Sequence, residues 1–314
     1  NTFIGTSAGE ANVDGGSNTF VGSGSGSRNQ SGGYNTSLGA QSQYFQIAGI
    51  ENVNVGWSSG YNNIRGSQNA MLGNSTGLNL STSTNNTFIG FEAGNANGLS
   101  NVTNQNNVLL GYRAGYRMAT TTGNLFLGYQ VSSSTTLGDY NIALGYNIGV
   151  ASTTGSNQLN IGNLIYGTGI GTGNVEATGN VGIGTSSPAA KLTVVGTSGS
   201  SPFIIASSTG TTLLSVFQNG TLAVGTSSQI TQAKVVVDNT ISATTTTTNA
   251  VAGLLGTFTF NPTDGGTQFG NRFTVTNAPT TATNTAIGQT IRMTDNTSLA
   301  NTIRGLEVVA SVGS

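Results

Sequence analysis

NTFIG, at Asn1–Gly5, returns as NTFVG at Asn18–Gly22, NTSLG at Asn35–Gly39, NVNVG at Asn52–Gly56, NAMLG at Asn69–Gly73 and NTFIG at Asn86–Gly90. Each of these phrases starts 17 residues after the last. One interval of 21 residues follows, and the phrase resumes as NVLLG at Asn107–Gly111, NLFLG at Asn124–Gly128 and NIALG at Asn141–Gly145. QLNIG at Gln158–Gly162 closes the series. A short fixed period is the signature of a solenoid, in which each repeat buries its apolar face only by stacking on its neighbours. Seventeen residues are too few for a helix pair and suit one coil of short strands and turns. The expectation is an all-β, parallel β-roll or β-solenoid of ten coils.

Composition agrees with that reading and removes several classes of function. Charged residues make up 6% of the chain, against about a quarter in an ordinary globular domain. Gly is 48 of 314 residues, about twice its usual share. With a net charge of −1 and 35% hydrophobic residues the chain lacks the charge excess of a disordered segment. It also lacks the basic face that nucleic acid or an anionic membrane would require. There is no Cys and no His, so thiolate chemistry and the commonest general base and metal ligand are missing. No apolar run is long enough to span a bilayer. The chain opens on the first residue of a repeat without Met, from which we expect a piece of a longer polypeptide.

Within one coil, five positions carry the argument. The residue before the first Gly is always aliphatic, from Ile4 and Val21 to Ile161. It is expected to point inward, together with the residue two places earlier (Thr2, Thr19, Thr36, Val53 and their equivalents), by strand alternation. The Gly itself is unvarying at Gly5, Gly22, Gly39, Gly56, Gly73, Gly90, Gly111, Gly128, Gly145 and Gly162, as a structural corner needing positive φ or close approach would be. A second Gly follows four residues later in most coils, with Gln43 and Ser132 as exceptions, and closes a second short strand. The leading Asn is placed to stack on itself as an amide ladder along the axis.

The position between the two aliphatic rows is then expected to face out, and it holds Phe3, Phe20, Met71, Phe88, Leu109 and Phe126. A ladder of exposed Phe is an aggregation liability unless another copy covers it, so this row reads as a self-association stripe. A second candidate surface is aromatic. Trp57, Phe91, Tyr112, Tyr129 and Tyr146 each follow a corner Gly, and the last four fall in consecutive coils. Such a ladder is a candidate strip for sugar rings or another surface, against the plainer reading of ordinary stacking. Arg113 and Arg117 flank it and are placed to pair with Glu92.

NNTFIGFEAGN, at Asn85–Asn95, and NNVLLGYRAGY, at Asn106–Tyr116, resemble the head repeats of YadA-type trimeric autotransporter adhesins. The resemblance covers residues 1–162 and departs from the family in placing the Asn four residues before the Gly rather than one place earlier still. It implies a left-handed parallel β-roll, three chains to a fibre, at the surface of a bacterial cell.

After Gly162 the period stops. Residues 163–178 are a Gly/Thr-rich transition. Residues 179–229 hold two related elements, GNVGIGTSSPAAKLTVVG from Gly179 and GTLAVGTSSQITQAKVVV from Gly220, with strands expected at Phe203–Ala206 and Leu213–Phe217. These resemble modules of phage tail fibres and bacterial surface fibres. Residues 230–314 form a Thr-rich β region, with strands expected at Thr257–Phe260, Arg272–Val275, Thr290–Thr294 and Ile303–Val309, in an intertwined fibre.

The chemistry expected is that of a surface. The Gly-rich stretch around Gly182 and Gly184 is followed by Pro188 and a β run rather than by the helix a phosphate loop needs. Acidic residues have no repeat phase, which argues against a calcium solenoid. Glu92 and Asp139 are the pair a glycosidase would draw on, with nothing to single them out. The expectation is a non-enzyme without cofactor or metal, whose partners are itself, as a homotrimer or longer filament, and a glycan or cell-surface ligand. Membrane and nucleic acid are not expected partners of this segment. Alternatives are a phage or phage-like tail fibre binding a host receptor, and an ice-binding or polysaccharide-acting β-solenoid.

Overall fold

The computed structural model of the chain describes residues 1–225 except Ser100, Thr172, Asn174 and Val175, with Ser227 and the backbone of Val235–Val237. The strands expected at Thr257–Phe260, Arg272–Val275, Thr290–Thr294 and Ile303–Val309 lie outside the described residues. The described residues fall in one compact unit and contain no helix.

Ten repeats give ten strands: β1 (Thr2–Ile4), β2 (Thr19–Val21), β3 (Thr36–Leu38), β4 (Val53–Val55), β5 (Ala70–Leu72), β6 (Thr87–Ile89), β7 (Val108–Leu110), β8 (Leu125–Leu127), β9 (Ile142–Leu144) and β10 (Leu159–Ile161). Each pairs with the next, parallel and in register, so that Phe3 lies beside Phe20 and Ile4 beside Val21. This is a parallel β-solenoid. In the long coil Val102 bridges Leu80, Gln105 bridges Thr84, and the 17-residue register is restored where Gln105 bridges Thr122. After β10 the chain reverses into β11 (Ile165–Gly167), then β12 (Val181–Ile183), both antiparallel additions, and β13 (Leu192–Val194) closes the same sheet in parallel. A separate four-stranded sheet follows: β14 (Phe203–Ala206), β15 (Thr212–Val216), β16 (Leu222–Val224) and β17 (Val235–Val237).

The expected second strand of each coil is a turn instead. The residue two places after the corner Gly has positive φ (Ser7, Gln41, Ser58, Ser75, Glu92, Arg113, Gln130), and from Gly9 to Ser132 so does the second Gly or its substitute, Gln43 or Ser132. Alternating left-handed residues cannot form a pleated strand. The amides still bond from coil to coil, as Gly26 N–H does to the Ser42 carbonyl and Gln43 N–H to the Ser59 carbonyl. The corner Gly is required twice over. At Gly22 φ is +131°, and an added Cβ would sit 2.5 Å from the Gly39 carbonyl oxygen.

The leading Asn side chains run up the inside of the coils. The Oδ1 of Asn1 accepts the backbone N–H of Asn18, that of Asn18 the N–H of Asn35, and the pattern continues through Asn141 to the N–H of Gln158, at 2.8–3.1 Å. The Nδ2 groups donate to carbonyls at the close of each coil, such as Gly32 from Asn18 and Gly66 from Asn52. Every polar atom of these amides is therefore used, as burial demands.

This ladder sets the parity of the strand and overturns the expected inside and outside. Asn18 is buried, so the residue two places on, Phe20, is buried too, while Thr19 is exposed and Val21 only partly covered. The row of Phe20, Met71, Phe88, Leu109 and Phe126 is the core, each at most 1% exposed. Phe3, on the first coil, stacks on Phe20 with ring centroids 5.2 Å apart. These residues do not form an outward self-association stripe. Ser37 and Asn54, which interrupt the row, are buried as well, and Ser37 Oγ donates to Gln43 Oε1. The expected inward row of Ile4, Leu38, Leu72 and Leu127 faces out. Residues before the second Gly do point inward: Ser25, Thr76, Ala93, Ala114 and Val131 are buried.

The core changes character along the stack. From Met71 to Val150 it is a continuous apolar cluster including Leu80, Met118 and Val131. In the earlier coils the place of Leu80 is taken by Asn12, Asn29, Gln46 and Asn63. Asn29 Nδ2 donates to Asn12 Oδ1 and to the Gly32 carbonyl, but Gln46, one methylene longer, leaves both its amide atoms and Asn29 Oδ1 without partners.

Two outcomes test this core. Phe88→Ala should lower stability by about 3–5 kcal/mol, as for a core ring, with the loss read in chemical unfolding; an unchanged unfolding midpoint would put the ring outside. Gln46→Asn should raise stability by about 1 kcal/mol through restored amide bonds, seen as a higher Tm; a lower Tm would contradict the account.

Candidate functional site

Strand alternation presents two outward rows on the ten-strand sheet. One runs Thr2, Thr19, Thr36, Val53, Ala70, Thr87, Val108, Leu125, Ile142 and Leu159; the other runs Ile4, Val21, Leu38, Val55, Leu72, Ile89, Leu110, Leu127, Leu144 and Ile161. Ile4 is 58% exposed, Leu38 48%, Leu72 49% and Leu127 45%. Neither row contains a charged residue, so the face is a flat strip of methyl groups and Thr hydroxyls.

The aromatic ladder forms at the next corner. Phe91, Tyr112, Tyr129 and Tyr146 stack in order, with centroids 5.5, 5.0 and 4.8 Å apart and planes within 10° of parallel. The in-register coils impose this: residues one beyond the corner Gly are separated by one strand spacing. Trp57 stands apart from the stack, because Asn74 holds the equivalent place in the coil between. The stacking is the plainer of the two readings, and it has a chemical consequence. Ring faces inside the ladder cover one another, so the ladder offers solvent its edges and its phenol hydroxyls. Tyr146, at the end, is 73% exposed.

Arg113 locks the ladder to its surroundings. Its Nε donates to Glu92 Oε2 at 2.5 Å, and its guanidinium lies 5.2 Å from the Tyr112 ring centre and 4.8 Å from that of Tyr116. The hydrogen bond to Glu92 holds the Arg113 pKa above its usual value, against the opposing effect of burial. A partly exposed pair of this kind contributes about 0–1 kcal/mol, so its role is orientation. Arg113, and not Arg117, is thus the residue brought to Glu92.

A second aromatic group escaped the sequence reading. Tyr44 stacks on Tyr61 at 5.3 Å, Phe45 meets both edge-on, and the Arg28 guanidinium lies 4.5 Å from the Phe45 ring centre. The signal was present: Tyr44 and Tyr61 both directly follow the second-Gly position, 17 residues apart.

The acidic candidates are both tied to structural partners. Glu92 holds Arg113, while Asp139 Oδ1 accepts the Thr122 N–H at 2.7 Å from a different position in the coil. Among the described residues no group of three His, Cys, Asp or Glu side chains is placed to hold a metal ion. Among the described residues no helix is long and apolar enough to cross a membrane. The Gly182 region lies in strand β12, which pairs with β11 and β13. Comparison of the chain with models of protein families, with curated proteins and with solved structures finds no match.

Proposed function

We propose that this chain is part of a non-enzymatic structural fibre of a bacterial cell surface, which assembles with copies of itself and presents a repeating surface for attachment. The observation that carries the reading is the outward face of the ten-strand sheet, with its two uncharged rows led by Ile4, Leu38, Leu72 and Leu127. Contiguous apolar surface beyond a few hundred Å² is characteristic of interaction sites. At about 4.8 Å per strand the strip is about 45 Å long and, with its flanks, about 15 Å wide, so a facing copy would cover on the order of 700 Å² per chain, close to the ~800 Å² of a standard interface. A second copy suits the strip because its rows repeat at the same spacing and it carries no charge to be neutralised.

Three copies about one axis, as left-handed β-rolls in an extracellular fibre, is the arrangement that the resemblance to adhesin heads adds. The self-association argued from Phe20 and Phe88 in the sequence thus moves to the neighbouring rows, where each aliphatic side chain covered contributes about 1.5–3 kcal/mol at full burial.

Sedimentation of the chain at micromolar concentration should give the mass of an oligomer, and the triple variant Leu38→Glu, Leu72→Glu, Leu127→Glu should give a folded monomer. A stable wild-type monomer would overturn the assembly. Incubation with a panel of polysaccharides should release no new reducing ends; their appearance would make the chain a hydrolase.

A further inference from the structure

The aromatic ladder ends in two phenols held as a fixed pair. Tyr129 and Tyr146 stack with ring centroids 4.8 Å apart and planes 9° from parallel. They are equivalent residues of neighbouring coils, so each atom of one ring lies about one strand spacing, ~4.8 Å, from the same atom of the other. The ortho carbons beside the two hydroxyls are thus matched. The next coil has Asn163 in this place, so no ring of the ladder covers the outer face of Tyr146, which is 73% exposed. Tyr129 is 39% exposed. The pair combines a fixed partner, access from solvent and one ring with room to tilt.

The other tyrosines each lack one of these properties. Tyr112 and Tyr116 are half-buried, and the Arg113 guanidinium, 5.2 Å and 4.8 Å from their ring centres, opposes removal of an electron from either ring. Tyr44 and Tyr61 stack at 5.3 Å, but both are half-buried and Phe45 meets each edge-on. Tyr34 and Tyr140 are exposed, but the equivalent places in the coils beside them hold Ser17 and Glu51, and Gly123 and Asn157. Tyr166 lies between Asn160 and Gly182 in the sheet. The chain has no Cys, so no disulfide can join one coil to the next.

We propose that Tyr129 and Tyr146 are an oxidative cross-linking site, at which the two phenols of one chain join as a dityrosine. The co-reactants are hydrogen peroxide and a haem peroxidase acting from solution. The peroxidase takes one electron and one proton from each phenol hydroxyl and delivers them to the peroxide, which leaves as two waters. The two tyrosyl radicals then form a bond between an ortho carbon of Tyr129 and an ortho carbon of Tyr146. Each joined carbon gives up its hydrogen as a proton, which returns to the phenol oxygen of the same ring. The net change is one new carbon–carbon bond and the loss of two hydrogen atoms. The bond links residues 17 apart in sequence and fastens the coil of β8 to that of β9. Closing such a loop narrows the unfolded ensemble and so stabilises the folded coils. The reaction lies within one chain and does not depend on the assembly proposed above.

Treatment of the intact chain with a haem peroxidase and hydrogen peroxide tests the proposal, read by dityrosine fluorescence and by mass-spectrometric peptide mapping. The expected product is one linked pair, Tyr129 with Tyr146, lighter by two hydrogen atoms. It should keep the mobility of a single chain on a denaturing gel and have a higher Tm than the untreated chain. Tyr146→Phe keeps a ring in the stack, as Phe91 does in its own coil, and removes the hydroxyl. It should fold as before and lose the product. Tyr34→Phe, which removes an exposed phenol without a stacked partner, should leave the yield unchanged. A linked pair other than this one, a yield undiminished in Tyr146→Phe, chains joined to one another, a linked chain with no gain in Tm, or no dityrosine at all would each overturn the proposal.

Discussion

The amide of the leading Asn is the contact on which the rest of the coil depends. It is buried, so it must be fully bonded, and it finds its partners only when the next coil starts in register. The Oδ1 of Asn52 accepts the N–H of Asn69 at 3.1 Å while its Nδ2 donates to the Gly66 carbonyl at 2.9 Å. One side chain thus fixes the stacking of two coils and the closure of one. It also places Phe20, Met71 and Phe88 inside, since period 2 leaves no other choice. A coil this thin has room for little else, and the sheet's remaining face is left to the solvent or to a partner.

What the sequence disclosed and what it withheld follow from the same geometry. Periodicity revealed the coil length, the unvarying corner Gly and the Asn ladder, because each of these is a property of one position repeated. Inside and outside are properties of parity, and in a three-residue strand parity is ambiguous: Thr19, Phe20 and Val21 satisfy either assignment. Treating the always-aliphatic residue as core chose the wrong one. The buried Asn two places before Phe20 was the signal that would have decided it, had an amide been admitted to the interior. The left-handed φ values that replace the second strand were visible only as a Gly, since Ser7, Glu92 and Arg113 adopt the same region without advertising it.

The candidate surfaces divide in the same way. The aromatic stack from Phe91 to Tyr146 was legible because stacking is what in-register coils do to equivalent residues. That its faces would be mutually covered, leaving edges, is a matter of three-dimensional spacing.

The Asn ladder makes every coil the template for the next, and this sets the unit in which such a chain can change. Loss or duplication of a whole 17-residue repeat leaves every side-chain bond with an equivalent donor and acceptor, so the stack grows or shortens like a column of identical bricks. An insertion of one residue between Asn and Gly has no such escape, because it turns the amide outward. The long coil between Asn86 and Asn107 shows the third case: its four surplus residues are tolerated because the coil is back in step at Gln105 and the ladder closes over them. Length is therefore the property most open to drift in this architecture, and register the least.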